Sequence, residues 1–166
     1  MSPLSSTATL VAGLIDVFAD TSLSGNPLAV VEGADALSDS QMRRIAGEFN
    51  QAETTFVMRS DRADLKLRSF TAAGAEVGGA GHNALGAWLW LAEEGKLGPI
   101  QEPQVFQQEI AGEVLPIELS AVGGRIFGRM KQSTLKLGPA LTDVAPLTAA
   151  LGLAPEDVLS EPAPRV

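Results

Sequence analysis

Of 166 residues, none is cysteine and one, His82, is histidine. Proton chemistry in this chain therefore falls to carboxylates, backbone amides and a single imidazole. Disulfides, thiolate metal sites and mechanisms that need a thiol go with the missing cysteines. A His-rich metal site cannot be assembled around one histidine, and no D-x-D-x-D-G run offers an all-carboxylate one. His82 could serve a serine nucleophile, but no G-x-S-x-G elbow presents one. Among the carboxylates, Glu53 stands out. It opens the stretch Glu53-Thr54-Thr55-Phe56-Val57, whose β-branched and aromatic residues read as a half-buried strand. Glutamate is a poor strand former, and a carboxylate is costly to desolvate without compensation. Two readings are open: Glu53 caps a solvated strand end, or it lies in a cleft where proton transfer needs it.

The second chemical feature is Gly78-Gly79-Ala80-Gly81, leading into a segment in which nearly every residue is small or apolar up to about residue 94. Such a segment reads as a buried helix, since a surface helix would show a polar face. Helix N-termini carry unpaired N–H groups and the positive end of the dipole, which together bind anions. Glycines ahead of the helix let a ligand approach the backbone, or let the helix pack tightly. The spacing is neither a dinucleotide fingerprint nor a P-loop with its lysine. His82 falls in the first turn of this helix, as a structural hydrogen-bonding residue or a ligand contact. Asn26, in Gly25-Asn26-Pro27, reads as a turn residue whose amide could also reach a ligand. Trp88 and Trp90 read as core anchors, and Glu93 and Glu94 as a solvated helix end.

The elements that must position these residues are mostly strands. Residues 10–18, 28–31, 54–58, 64–71, 105–111, 114–119 and 125–132 have strand character. Ser38 and Gln41 form a capping-box signature that predicts a helix over 39–49, and a short helix is expected near 147–151. In 64–71, Leu65, Leu67 and Ser69 alternate with Lys66, Arg68 and Phe70. The fold class is α+β, a mainly antiparallel sheet wrapped around a central apolar helix. A tail over 1–9, one lobe over 10–160 and a second tail over 161–166 are the expected divisions.

Composition narrows the partners. Hydrophobic residues make up 45%, charged residues 19%, and the net charge is −8. The first basic residue is Arg43, and no cluster of lysine and arginine appears. Nucleic acid, which needs concentrated positive charge, is not an expected partner. Nor is a membrane, since the apolar run over 10–15 is broken by Asp16 and is too short to span. No positive segment precedes that run as a secretory signal would require, so the cytoplasm is the expected location.

Four stretches, in order, resemble the phenazine-biosynthesis PhzF-like isomerase family, which has the diaminopimelate-epimerase fold. They are Asp16-Val17-Phe18 with Gly25-Asn26-Pro27-Leu28-Ala29-Val30-Val31; the run from Ile45 through Asn50-Gln51-Ala52-Glu53-Thr54-Thr55-Phe56-Val57; Leu67-Arg68-Ser69-Phe70-Thr71 with Glu76-Val77; and Ala80-Gly81-His82-Asn83-Ala84-Leu85-Gly86. The resemblance implies a cofactor-free isomerisation of a small unsaturated or amino carboxylic acid. One proton leaves one carbon and returns to another, with Glu53 as the acid/base residue. It implies that Gly81 and His82 bind the substrate, with Ala80, Asn83 and Asn26 beside them. The absent thiols favour a one-carboxylate shuttle over a two-thiol racemase. Two positions depart from the family pattern: Ala52 replaces the usual serine, and Asn83 stands where proline or alanine is common. The family has two similar lobes with the site between them. The expected partners are therefore the small carboxylate substrate and a second lobe, from a second copy or a separate polypeptide. A non-catalytic half-domain that kept the fold is the alternative.

Overall fold

Apolar runs without alternation mark strands buried on both faces, and two such strands lie side by side here. The computed structural model describes residues 9–131, 137–159 and 161–165. It divides into two compact units, Met1–Gln132 and Ser133–Val166, where one lobe over 10–160 was expected. The first unit holds strands β1 (Val11–Val17), β2 (Asn26–Glu32), β3 (Thr54–Met58), β4 (Leu65–Phe70), β5 (Glu76–Val77), β6 (Gln104–Ile110), β7 (Glu113–Val122) and β8 (Arg125–Met130). It also holds helices α1 (Asp39–Phe49) and α2 (His82–Glu93). Of the strand expected over 125–132, residue 132 lies outside the described residues, as do residues 1–8 of the expected N-terminal tail.

The strands form one eight-stranded curled sheet in the order β1-β2-β3-β4-β6-β7-β8, with β5 paired to β4. The expectation of a mainly antiparallel sheet needs correction, because the sheet is mixed: β2 runs parallel to β3, and β4 parallel to β6. Each parallel pair requires a crossover. The first is made by α1 between β2 and β3, and the second by β5 and α2 between β4 and β6.

The two helices account for two cores. Val17, Leu28, Val30, Val57, Leu67, Ile117 and Leu119 pack with Trp88 and Leu91 of α2. Val31, Phe56 and Phe70 pack with Met42 and Ala46 of α1. Neighbouring residues of β2 and β3 thus enter opposite cores, which is why these two strands show no alternation. Helix α2 packs against β1, β2, β3 and β8. Close approach needs Gly86, where a Cβ would lie 2.6 Å from both Leu28 Cδ2 and Val17 Cγ2. Trp88 is fully buried, stacks on Phe106 with centroids 5.1 Å apart, and donates its Nε1–H to Gln108 Oε1 at 2.9 Å. Trp90 is half-buried and donates to Glu32 Oε1.

Helix α1 begins where the capping box places it. Ser38 Oγ accepts from the Gln41 N–H, and Gln41 Oε1 accepts from the Ser38 N–H. At its first residue, Asp39 accepts from Arg68 at 2.7 Å, while Arg68 also forks onto both oxygens of Glu76 at 2.7 and 2.8 Å. The hydrogen bond from Arg68, then its charge, holds the Asp39 carboxyl below its ordinary value, and the separate hydrogen bonds from Arg68 to Glu76 lower that carboxyl too. Glu109 is lowered chiefly by the Ser60 hydroxyl. A carboxylate depressed by folding adds stability that is complete above its unfolded value of about 4 and is lost as pH falls through the folded value. Urea midpoints should therefore be level near neutrality and fall as pH drops below about 4. Arg68→Ala should flatten that acid limb, because it releases two of the three carboxylates.

The second unit contains α3 (Ala145–Leu151), ended by Gly152 at φ 67°. Ala140 forms a bridge with Arg165, and the Leu141 N–H donates to Pro164 O at 2.8 Å.

Candidate active site

Because β2 and β3 run parallel, their first residues lie at one end of the sheet. Strand β4, antiparallel to β3, finishes there, with Phe70 opposite Thr54. From that end the chain turns through residues 71–75, where Gly74 adopts φ 81° and its N–H donates to Thr71 O. Arg43 reaches across to donate to the Gly74 carbonyl. The chain then passes through β5 and the glycine loop into α2. The ends of three strands and the positive end of a twelve-residue helix thus converge.

Glu53 and His82 meet at this point. Glu53 immediately precedes β3, and its carbonyl accepts from the Ala29 N–H of β2 at 3.4 Å. Its side chain faces α2, with Oε2 3.6 Å from Nδ1 of His82, the first residue of that helix. Both side chains are mostly buried, 18% and 13% exposed. Glu53 Oε2 and His82 Nε2 are shielded from solvent, and neither has a hydrogen-bond partner in the protein. A buried polar atom without a partner costs about 1–3 kcal/mol. Folded proteins tolerate that cost chiefly where function needs the group. Of the two readings of Glu53, the solvated strand end is excluded by its burial.

The N–H groups of residues 82–84 belong to the first turn of α2 and have no intrahelical acceptor. No side chain caps the helix at Gly81. The Gly81 N–H, expected to hold a ligand, is instead spent: it donates to Asn83 Oδ1 at 2.7 Å. Gly81 does contribute its exposed backbone and its carbonyl, which accepts from the Leu85 N–H.

Asn83, expected beside the substrate, is 2% exposed. Its Nδ2 donates to Ser69 Oγ at 3.0 Å and to Gly79 O at 2.9 Å. With Oδ1 taken by Gly81, the side-chain amide is wholly committed to the protein, and only the backbone N–H is left to face a ligand. Ala80 is half-buried and packs on the main core. Asn26 opens β2 opposite Val17, half-buried, without hydrogen-bonding contact to Glu53 or His82. Thr55 and Ser69 escape a search for chemistry-bearing residues, yet both are buried beside the site and share a 2.9 Å hydrogen bond. The available signal was Ser69 itself, a hydroxyl on the Leu65–Leu67 side of an alternating strand.

Among the described residues no group of three or more histidine, aspartate or glutamate side chains could hold a metal ion. No described helix is long and apolar enough to cross a membrane. A cavity of about 690 Å³ lies elsewhere, between β1, α2 and β8, lined by residues including Phe18, Leu89 and Arg125 but not by Glu53 or His82. The partnerless buried polar atoms favour the end of α2.

Chemically, the arrangement offers a shielded carboxylate that can take or give a proton, an imidazole beside it, and N–H groups aimed along a helix axis. Those N–H groups suit a carboxylate-bearing ligand and the negative charge that grows on it when a neighbouring C–H is deprotonated.

Comparison with known proteins agrees with this chemistry. Residues 15–145 match the model of the phenazine biosynthesis-like protein family. The chain is 35% identical over 141 residues to trans-2,3-dihydro-3-hydroxyanthranilate isomerase of Pseudomonas aeruginosa, covering 84% of this chain and 48% of that protein. It is 31% identical over 142 residues to an uncharacterized isomerase, YfhB, of Bacillus subtilis, covering 86% and 47%. Among solved structures, a predicted epimerase from Pseudomonas aeruginosa superposes with a TM-score of 0.79 at 30% identity, over 93% of this chain and 54% of that one. A PhzF-family phenazine biosynthesis protein of Bacillus anthracis gives 0.78 at 28% identity, over 92% and 50%. The chain spans about half the length of the curated relatives it matches. Matched to the family model over residues 15–145, this chain belongs to the phenazine biosynthesis-like, or PhzF-like, protein family.

Proposed function

We propose that this chain is one lobe of a cofactor-independent isomerase that moves a proton between two carbons of a small carboxylic or amino acid. Glu53 takes the proton from the carbon next to the carboxylate and returns it to another. His82 donates a hydrogen bond to the substrate, and the first-turn N–H groups of α2 hold its carboxylate and the charge that builds there. The observation that carries this reading is the 3.6 Å approach of Glu53 Oε2 to His82 Nδ1 at the start of α2, with the carboxylate and imidazole each keeping a buried, partnerless atom. The relative named for its action on trans-2,3-dihydro-3-hydroxyanthranilate makes that compound the first substrate to try, and biosynthesis of a secondary metabolite the natural setting.

One lobe supplies one wall of the site, and proton transfer from carbon benefits from a site closed to water on every side. A second lobe completes the site. A non-catalytic half-domain is the second reading. It is favoured by Ala52, which lacks a hydroxyl that could orient the carboxylate or the substrate.

Light scattering coupled to turnover assays separates the two. Isomerisation is expected in the dimeric fraction, or on adding a second-lobe polypeptide, and not in the monomer. A completed assembly that binds anthranilate but never isomerises the dihydro compound or related unsaturated carboxylates would establish the half-domain reading instead.

A further inference from the structure

We infer that Asn83 is a positioning residue, which locks the glycine loop and the start of α2 onto the strand that carries Glu53. The inference rests on the site proposed above but concerns a different question, namely what fixes its geometry. Every hydrogen in the network around Asn83 can be assigned without conflict. Thr55 Oγ1 donates to the Asn83 carbonyl at 3.2 Å. Its hydrogen being used, the 2.9 Å bond between Thr55 and Ser69 must be donated by Ser69. Ser69 Oγ in turn accepts from Asn83 Nδ2, whose second hydrogen goes to Gly79 O. Asn83 Oδ1 accepts from the Gly81 N–H.

The circuit therefore joins β3 at Thr55, β4 at Ser69, the loop at Gly79 and Gly81, and α2 at Asn83 itself. Thr55, Ser69 and Asn83 are 0%, 3% and 2% exposed, so water does not compete for these bonds. Thr55 lies two residues after Glu53, and Asn83 one residue after His82. The circuit thus sets the separation of the proton-transfer carboxylate from the imidazole and the first-turn N–H groups. It also has a chemical consequence: by occupying the Gly81 N–H, it directs an incoming carboxylate to residues 82–84. Proline or alanine at position 83, the residues usual in the family, could not form any of the three side-chain bonds.

Amide hydrogen exchange and anthranilate binding, both followed by NMR, test this on the intact chain. In the unsubstituted protein the Gly81 amide should be protected although its residue is exposed. Asn83→Ala should speed its exchange at least tenfold and weaken anthranilate binding by a similar factor, with β3 and β6 amides little changed. Asn83→Asp keeps the acceptor for Gly81 and loses both donor bonds, to Gly79 and to Ser69. It should retain Gly81 protection while losing part of the affinity. A Gly81 amide that exchanges freely in the unsubstituted protein would overturn the inference, as would Asn83→Ala with unaltered exchange and affinity. Anthranilate that fails to bind the unsubstituted chain would count against the proposed site, while Gly81 exchange would still decide the role of Asn83.

Discussion

Glu53→Gln, assayed in the completed enzyme, should cut isomerase turnover by about 10²–10⁴-fold, the range general acid–base catalysis supplies. The substitution keeps the length and planarity of the side chain and removes only its capacity to exchange a proton. Glu53 Oε2 makes no hydrogen bond in the protein, and the imidazole of His82 lies 3.6 Å away. Little folding energy rests on the carboxylate. The melting temperature should therefore stay level or rise, as happens when a group kept for function at the expense of stability is neutralised. Substrate affinity should change much less than turnover, since the N–H groups of α2 are untouched. Lost activity accompanied by lost folding would assign Glu53 a structural role, and unchanged turnover would remove it from the mechanism.

The second large effect concerns stability. Trp88 is the largest fully buried side chain, and it carries both a stacked partner, Phe106, and a hydrogen bond to the buried Gln108. Trp88→Ala should cost about 3–5 kcal/mol for the cavity, with about 1–3 kcal/mol more because Gln108 Oε1 is left without its donor. Against a total stability of about 5–15 kcal/mol, that loss leaves the protein mostly or wholly unfolded, visible as collapse of the circular dichroism melt. Trp88→Phe keeps a ring against Phe106 and forfeits the N–H. It should stay folded and lose about 1–3 kcal/mol in urea titrations. If both variants melted like the parent, α2 would not be the organising element of the main core.

How far these features were legible in the sequence depends on whether their cause is local. Helix α1 is: Ser38 and Gln41 cap it within four residues, and its bounds follow. Strand β3 is, because Thr54, Thr55, Phe56 and Val57 favour extended backbone and are buried on both faces. The polarity of β2 against β3 is not, since nothing in Leu28 to Val31 records which way a strand 20 or more residues later will run. Gln108 looks like a solvated strand residue, and its burial follows from Trp88, a partner distant in sequence. Strand β5 has only two residues, too few to show a period.

The site divides in the same way. Glu53 and His82 stood out because a carboxylate at a strand mouth and an imidazole at a helix start are locally unusual. The side chain of Asn83 looks available because a polar residue in the first turn of a helix usually is. What withdraws it is Ser69, fourteen residues back, and the carbonyl of Gly79. Its neighbours, not its type, decide its role.

The most direct measurement follows from His82 being the sole histidine, so that its imidazole gives one unambiguous set of NMR signals. On titrating the isotope-labelled chain with anthranilate, those signals and the amides of residues 82–84 should move together along one binding curve. Silence at His82, with the shifts confined to residues around Phe18, Leu89 and Arg125, would place the ligand in the other cavity and contradict a site built on Glu53 and His82.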